Sequence, residues 1–535
     1  DPGLRTQIRL KEDGTPVQYE TAYQECQFPV LDFSSTNQNG LAYWESMKTR
    51  EAMPLADCPL YAFWILRWGE HEGGVLVKTH HLISDGWSEV DLINRIATTY
   101  LSLLNGEEPD LSDRVSYQRH VEAEQAYLAS KACERDSRYW KKILQEPCAP
   151  VTLKDGSGAE ISPVGQRLTF ELPDKLNHAI NAYCSAGRIA PFLVYYMAVA
   201  IYLTRVRNAE RLCIGAPVHN RSSLEDRNTT GMFVSTLPFF CRVEEDWSFR
   251  DFTEKLGEQW LELLRHQRFP FARILETARE VQPQAGGKLF HLVLSFHNSH
   301  AYRNKNTSVY FSGQWHYAGY QAEHICIHLN NIEDENAYTV NYDYLTQLFS
   351  KYDIEDFHRH LTNLLSKALE EPDRPVMELP IMDAEEENRV LYTFNRTRRY
   401  GFEGTLCQKL EEICRDFADK VAVIENGSRY SYRRLWTDCQ ELASEIADNA
   451  VGKEPVIALI LPKSYALLCA MAAVIASGCA WVITDPKLPA KRLGKILRDS
   501  RAAAVLTEGN LREILGGDVL EIPEINALDF LGRGN

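Results

Sequence analysis

The chain has 535 residues, of which 44% are hydrophobic and 25% charged. At about 150 residues per domain this length holds three to four domain-sized units, each with apolar side chains enough for a core, which excludes disordered, fibrous and collagen-like classes. With 58 Lys and Arg against 74 Asp and Glu the net charge is −16, a sign that repels nucleic-acid backbones and anionic lipid surfaces, so neither nucleic acid nor membrane is an expected partner.

In chain order, residues 1–158 read as one α/β unit. LRTQIRL and a Gly-Thr-Pro turn are followed by strand-like YAFWILRW and VLVKTHHL, an amphipathic stretch from Ser88 to Leu104, and a charged, aromatic mixture over 113–145. The segment from Glu146 to Gly165 carries Pro147, Pro150, Gly156, Gly158 and Pro163 and reads as a boundary. A second α/β unit spans 159–375. It contains GQRLTFELP, a helix from Asp174, an apolar helix at Ala190–Arg205, strands RLCIGAPV, FHLVLSFHN and HICIHLNN, and a last helix near Ile354–Ala368.

Residues 376–403, rich in Pro, acids and then Arg, read as a linker. From 404 to 535, helices alternate with the strands VAVIEN, SRYSY, VIALILP, AWVIT and AAAVLT, the pattern of a parallel sheet covered by helices. The uncharged run between Lys463 and Asp485 has the length of a membrane span, but its small residues and closing Trp481-Val482-Ile483 predict a buried helix turning into a strand. Thirteen cysteines, with no C-x-x-C pair and no zinc-like spacing, predict free thiols in a reducing, cytoplasmic setting and no metal site. No apolar h-region lies in Asp1–Leu10, so no signal peptide is expected there.

The sharpest chemical pattern is VLVKTHHLISDGWS, residues 75–88. Strand alternation puts Val75, Val77, Thr79 and His81 on one face and Leu76, Lys78, His80 and Leu82 on the other, so the two histidines do not share a metal. Asp85 and Gly86 follow in a turn, with Ser88 placed to cap the next helix. One histidine, an orienting acid and a close-approach backbone are parts that acyl transfer uses. The same residues also fit a satisfied polar strand-turn. His297 and Asn298 in LSFHNSH are further candidates to line the same cavity, while His316, His324 and His328 have no metal-like spacing and read as core or surface residues.

HHLISDG resembles the HHxxxDG signature of condensation domains of non-ribosomal peptide synthetases, a branch of the chloramphenicol-acetyltransferase-like acyltransferases. CIGAPVHNRSSLEDRNTTGMFVSTLP (Cys213 to Pro238, with the Asn220-Arg221 pair), Phe269-Pro270-Phe271 and Gly3-Leu4-Arg5-Thr6 are similar to further segments of that family, whose opening strand and helix have no counterpart before Asp1. Tyr430-Ser-Tyr-Arg-Arg-Leu435 and Ser477 to Pro486 resemble early motifs of adenylation domains. No Gly-rich, Lys-ending phosphate loop occurs between Leu406 and Asn535, so this 535-residue polypeptide is not expected to activate an amino acid by itself.

The resemblance implies two acetyltransferase-like lobes forming a V-shaped cleft, followed by a partial adenylation subdomain. It implies amide formation between a donor acyl or peptidyl thioester and an acceptor aminoacyl thioester, both on phosphopantetheine arms, with no cofactor held by this chain itself. The implied partners are an upstream donor and a downstream acceptor carrier protein and the rest of an adenylation domain. His81 would be catalytic, with His80, Asp85, Gly86 and Arg5 supporting, and an early Arg such as Arg5 would anchor Asp85. Related chemistry stays open as ester formation, epimerisation or heterocyclisation, although heterocyclising relatives replace the two histidines by acids. A silent carrier-docking platform also stays open.

Overall fold

Tyr61–Arg67, rich in aromatic residues, is the central strand of the first sheet and pairs antiparallel with Gly73–Thr79, which brings the β-branched Val75, Val77 and Thr79 that suit a pleated surface. Val30–Asp32 joins parallel on the far side of Tyr61–Arg67. The computed structural model describes residues 1–35, 38–110, 115–154, 161–282, 288–298, 309–331, 336–397, 404–452, 454–516 and 521–531. They divide into two units, Asp1–Asn395 and Arg396–Asn535.

The second sheet of the first unit has six strands in the order Gly165–Glu171, Thr339–Leu345, Ile325–Asn330, Leu292–His297, Leu212–Val218, Ser235–Cys241. Leu292–His297 runs parallel to both neighbours and the other pairs are antiparallel. Against one face lies Pro191–Arg207, apolar almost all round, with every residue from Phe192 to Thr204 buried, as expected of a helix enclosed by protein on all sides. Amphipathic helices Asp174–Gly187, Phe249–Arg265 and Lys351–Glu370 pack around it. The last two start with capping boxes at Ser248/Asp251 and Ser350/Asp353.

The predicted strands and helices of this region are present. The pattern did not disclose Ser235–Cys241, Thr339–Leu345, Gln38–Arg50, Phe249–Arg265 or Phe271–Val281. Packing also redraws two boundaries. Helix Lys131–Leu144, read as part of the first α/β unit, buries Cys133, Trp140 and Leu144 in the same apolar cluster as the six-stranded sheet. Its Asp136 accepts from Tyr127 Oη at 2.7 Å and faces His266 Nδ1 at 2.8 Å. The expected linker begins too early, because Val376 and Leu379 are fully buried in that cluster. Two apolar residues among prolines and acids are too few to make a periodic signal, yet they fill a groove.

In the second unit four parallel strands lie in the order Ala480–Thr484, Val456–Ile460, Ala504–Thr507, Glu524–Asn526. Alternation along Val456–Ile460 sends Ile457 and Leu459 to a core shared with Tyr432–Asn449 and Tyr465–Ala476, and Ala458 and Ile460 to one shared with Ala490–Asp499. A hairpin of Val421–Glu425 and Ser428–Ser431 turns at Asn426-Gly427, both with positive φ (46° and 83°), the chemistry an Asn-Gly turn provides. The apolar run near 463–485 is indeed a helix, Tyr465–Ala476, leading into a strand. Among the described residues no single helix is long and apolar enough to cross a membrane, and all thirteen cysteines are free thiols.

Because the cores of the two units are separate clusters, Trp140→Ala is expected to destabilise Asp1–Asn395 by about 3–5 kcal/mol through the cavity it leaves. It should leave the unfolding of Arg396–Asn535 in place. Calorimetric scans of the full chain and the variant check this, and a variant that shifts only the transition of the second unit contradicts the assignment of Trp140.

Candidate active site

The strand Gly73–Thr79 ends three residues earlier than the pattern VLVKTHHL, which runs to Leu82, suggests. His80 N donates to Leu60 O (2.9 Å), Ile83 N turns back to His80 O (3.0 Å), and His80 and His81 lie in this turn rather than on opposite faces of a strand. The turn gives the two rings different tautomers. Leu82 N donates to His80 Nδ1 (3.1 Å), so a neutral His80 carries its proton on Nε2, and burial followed by the neighbouring His81 lowers its pKa. His81 Nδ1 lies 2.9 Å from Ser84 O. A carbonyl only accepts, so Nδ1 donates, and a neutral His81 ring keeps a lone pair on Nε2. The His81 side chain is exposed.

Asp85, not Ser88, is the N-cap of helix Gly86–Leu104, accepting from Ser88 N at 2.9 Å. Asp85 is fully buried, and its carboxylate also accepts from Ser88 Oγ (2.8 Å) and Phe233 N (3.1 Å). Its charge partner is Arg221, whose terminal nitrogen reaches both carboxylate oxygens at 2.8 and 3.0 Å and Ser88 Oγ at 2.8 Å. The same guanidinium donates to the carbonyls of Asp226, Thr229 (2.7 Å) and Gly231 (3.2 Å) and stacks 4.0 Å over the Phe233 ring. Burial lowers the Arg221 pKa and Asp85 opposes that shift.

Arg5 is therefore not the anchor that the resemblance implied. It pairs with Glu20 at 2.7 Å and donates to Thr21 O at 3.0 Å, half-exposed on the hairpin of Thr6–Leu10 with Pro16–Glu20. The anchor lies 136 residues from Asp85. It stands in the Asn-Arg pair that the sequence already displayed, so its position was visible and its role was not.

Gly231 completes the pair's surroundings. Its N–H donates to Ser88 Oγ at 3.1 Å, and a Cβ there would fall 2.0 Å from a ring carbon of Tyr117. Trp87 Nε1 donates to Arg227 O (3.0 Å), and its ring meets His219 edge-on at 5.9 Å. These contacts tie the start of helix Gly86–Leu104 to the segment after Leu212–Val218.

From the six-stranded sheet, His297, the last residue of its strand, reaches the same place. A Cβ on Gly86 would lie 3.8 Å from His297 Nδ1. Asn298, one residue beyond, is exposed and makes no side-chain hydrogen bond to a described residue. Sequence reasoning missed Arg221, Gly231, Tyr117 and Phe233 as parts of this site. Only the Arg221 and Gly231 segments, within the stretch from Cys213 to Pro238, gave a signal that could have been followed.

A family model described as "Condensation domain" matches residues 1–391, and one described as "AMP-binding enzyme" matches residues 410–529. Surfactin synthase subunit 1 of Bacillus subtilis (strain 168) is 28% identical over 95% of this chain and 14% of its own length. Tyrocidine synthase 3 of Brevibacillus parabrevis is 24% identical over 97% of the chain and 8% of its own length. The chain thus spans 14% or less of the length of these relatives.

Among solved structures, the first condensation domain of the calcium-dependent antibiotic synthetase with a substrate analogue matches 71% of this chain and 87% of its own, at TM-score 0.60 and 21% identity. A mutant starter condensation domain of rhizomide synthetase in complex with C8-CoA and Leu-SNAC matches 71% of the chain and 86% of its own, at 0.59 and 20%. A four-domain nonribosomal peptide synthetase bound to AMP and glycine covers 98% of this chain and 40% of its own, at 0.62 and 20%.

Asp85→Ala and Arg221→Ala are each expected to cost about 3–5 kcal/mol, because either leaves a buried charge unpaired. The double variant should lose clearly less than the sum. Arg5→Ala should cost under about 1 kcal/mol, as its pair is half-exposed. Denaturant titrations of the four proteins check the set, and equal losses for Arg5→Ala and Arg221→Ala would return the anchor to Arg5. Gly231→Ala should destabilise by about 1–3 kcal/mol through overpacking on Tyr117, and Tyr117→Ala in the same chain should relieve part of that loss.

Proposed function

The chain belongs to the condensation-domain family, followed by part of an AMP-binding domain, and we propose that it forms an amide between two thioester-borne groups. The donor is an acyl or peptidyl thioester on the phosphopantetheine of an upstream carrier protein, and the acceptor an aminoacyl thioester on a downstream one. The observation that carries this reading is the exposed His81, whose Nδ1 is occupied by Ser84 O and whose Nε2 remains a lone-pair acceptor.

An α-amine with a pKa of about 8 keeps a useful neutral fraction at pH 7, so the amine needs orientation more than activation. His81 Nε2 accepts a hydrogen bond from the amine and aims its lone pair at the thioester carbon. As the C–N bond forms, the ring takes the amine proton. Collapse of the tetrahedral intermediate breaks the C–S bond, and the proton passes to the departing thiolate. His80, with its Nδ1 already engaged by Leu82 N, shapes the turn. Asp85 fixes the helix start that carries Gly86. The two thioesters in the rhizomide starter domain, C8-CoA and Leu-SNAC, are of the donor and acceptor classes proposed here. Thirteen free thiols support a reducing, cytoplasmic location.

His81→Ala is expected to lower acyl transfer at least about 10²-fold, the lower range for a lost acid–base group, with stability changed by no more than about 0.5 kcal/mol because the side chain is exposed. The measurement is intact-protein mass spectrometry of a loaded donor and a loaded acceptor carrier mixed with this chain. Transfer at the unmutated rate in the variant would sink the role of His81. No amide product from the unmutated chain across a panel of carriers would favour the docking platform.

A further inference from the structure

The six-stranded sheet has one apolar and one polar face. Leu294, Ile327 and Tyr342 are fully buried on the side of helix Pro191–Arg207. Alternation turns Ser295, His297, His328, Asp343 and Arg167 to the other side. There they form one hydrogen-bonded line across four strands. Arg167 Nε and a terminal nitrogen hold the two oxygens of Asp343 at 2.6 and 2.8 Å. His328 Nε2 lies 3.1 Å from Asp343 Oδ2, Ser295 Oγ 2.6 Å from His328 Nδ1, and His297 Nε2 3.0 Å from Ser295 Oγ. The Trp315 ring stands 4.9 Å from His297 and 5.1 Å from His328, with Arg167 4.5 Å over it.

With one proton on each imidazole the direction of every bond is fixed. Burial works against ionisation of Asp343, but hydrogen bonds from Arg167 and His328 hold its pKa low, so the carboxylate only accepts. His328 Nε2 therefore donates and its Nδ1 accepts the Ser295 hydroxyl proton; the longer contact of that hydroxyl, 3.5 Å to Ile327 O, does not compete. With its proton committed, Ser295 Oγ accepts from His297 Nε2. The lone pair of His297 is thus on Nδ1, the atom facing Gly86. Burial first, then His328, His219 and Arg167, pushes the His297 pKa down to about 3, which keeps the ring neutral. Among the described residues nothing donates to Nδ1.

We propose that His297 Nδ1 is a fixed hydrogen-bond acceptor for an N–H group of the acceptor substrate beside Gly86, and that Ser295, His328, Asp343 and Arg167 are positioning residues that lock its tautomer. This rests on the amide-forming reading above. Two sources share the chemistry: the α-amine of the acceptor and an amide N–H of its pantetheine arm. A cationic or donor ring at this position would repel either one. The neutral line from Arg167 to His297 prevents that.

Two measurements on the full chain test the proposal. Side-chain ¹⁵N spectra of His297 are expected to show protonated Nε2 and bare Nδ1 in the unmutated chain, and a mixture of tautomers in Ser295→Ala. Separately, acceptor affinity is measured without donor, by NMR titration, for an aminoacyl N-acetylcysteamine thioester and for the aminoacyl ethanethiol ester that lacks the amide. His297→Leu should weaken binding about three- to tenfold, the value of one neutral hydrogen bond. His297→Asn, whose Oδ1 falls near the position of Nδ1, should restore most of it and reports that the site still folds.

Weakening with both probes assigns the α-amine, and weakening with the N-acetylcysteamine probe alone assigns the arm. A protonated Nδ1 in the unmutated chain, or unchanged affinity for both probes in His297→Leu, overturns the proposal. Failure of the unmutated chain to make amide, with the bare Nδ1 and the affinity loss intact, would instead sink the reaction and leave the acceptor site.

Discussion

A carboxylate and a guanidinium, both buried, join the three-stranded and the six-stranded sheet of Asp1–Asn395, and the site is built on that joint. Burying two ions costs several kcal/mol each, which their attraction offsets only when geometry and remaining hydrogen bonds are good. Here all but one are made. Asp85 receives donors from Ser88, Phe233 and Arg221, and the two terminal nitrogens of Arg221 also reach the carbonyls of Asp226, Thr229 and Gly231, leaving only its buried Nε without a partner among the described residues. A lysine has one nitrogen and could not serve these acceptors together. Because Asp85 is also the N-cap of helix Gly86–Leu104, the pair that joins the sheets also sets where that helix starts.

That double duty explains how adjacent histidines acquire different work. The turn between Thr79 and Asp85 is held at both ends, by Leu60 O at His80 N and by the ion pair at Asp85. Within it, the backbone engages one ring nitrogen of each histidine, as donor to His80 and as acceptor from His81. Ile83 and Ser84 are buried beneath the turn while His81 is exposed above it. Tautomer selection here is a property of five residues of backbone, so it needs no second side chain and leaves Nε2 of His81 uncommitted.

What the sequence disclosed follows the range of the physics involved. In the second unit strands alternate with helices along the chain, so local alternation was enough to read VIALILP, AWVIT and AAAVLT as a parallel sheet covered by helices, but not that VAVIEN and SRYSY form a separate antiparallel hairpin or that Glu524–Asn526 adds a fourth strand. In the first unit periodicity found Leu212–Val218, Leu292–His297 and Ile325–Asn330, but not that Thr339–Leu345 lies between Gly165–Glu171 and Ile325–Asn330. Period two also does not say where a strand stops, which is why His80 and His81 were read onto Gly73–Thr79. The pairing of Asp85 spans 136 positions and left no local trace. Any basic residue was admissible there, and Arg5 was chosen by resemblance. His328 read as a core or surface residue because the register that places it beside Ser295 exists only in the sheet.

Every residue assigned to the site stands at or near the end of an element or on the polar face of a sheet whose other face is core. His81 lies two residues past Thr79, Gly86 opens its helix, Arg221 lies three residues past Val218, and His297 closes its strand. Element ends supply backbone groups with no partner inside the element, and these are the groups that bind Asp85, His80 and His81. The polar line behind His297 gains its rigidity from the opposite face, where Leu294, Ile327 and Tyr342 are close-packed against helix Pro191–Arg207. Strands that cannot shift against that helix cannot shift Ser295 relative to His328 either. The apolar core thereby sets the donor order of a hydrogen-bonded chain to which it contributes no polar atom, and the position of a single lone pair beside Gly86 is fixed by packing on the far side of the sheet.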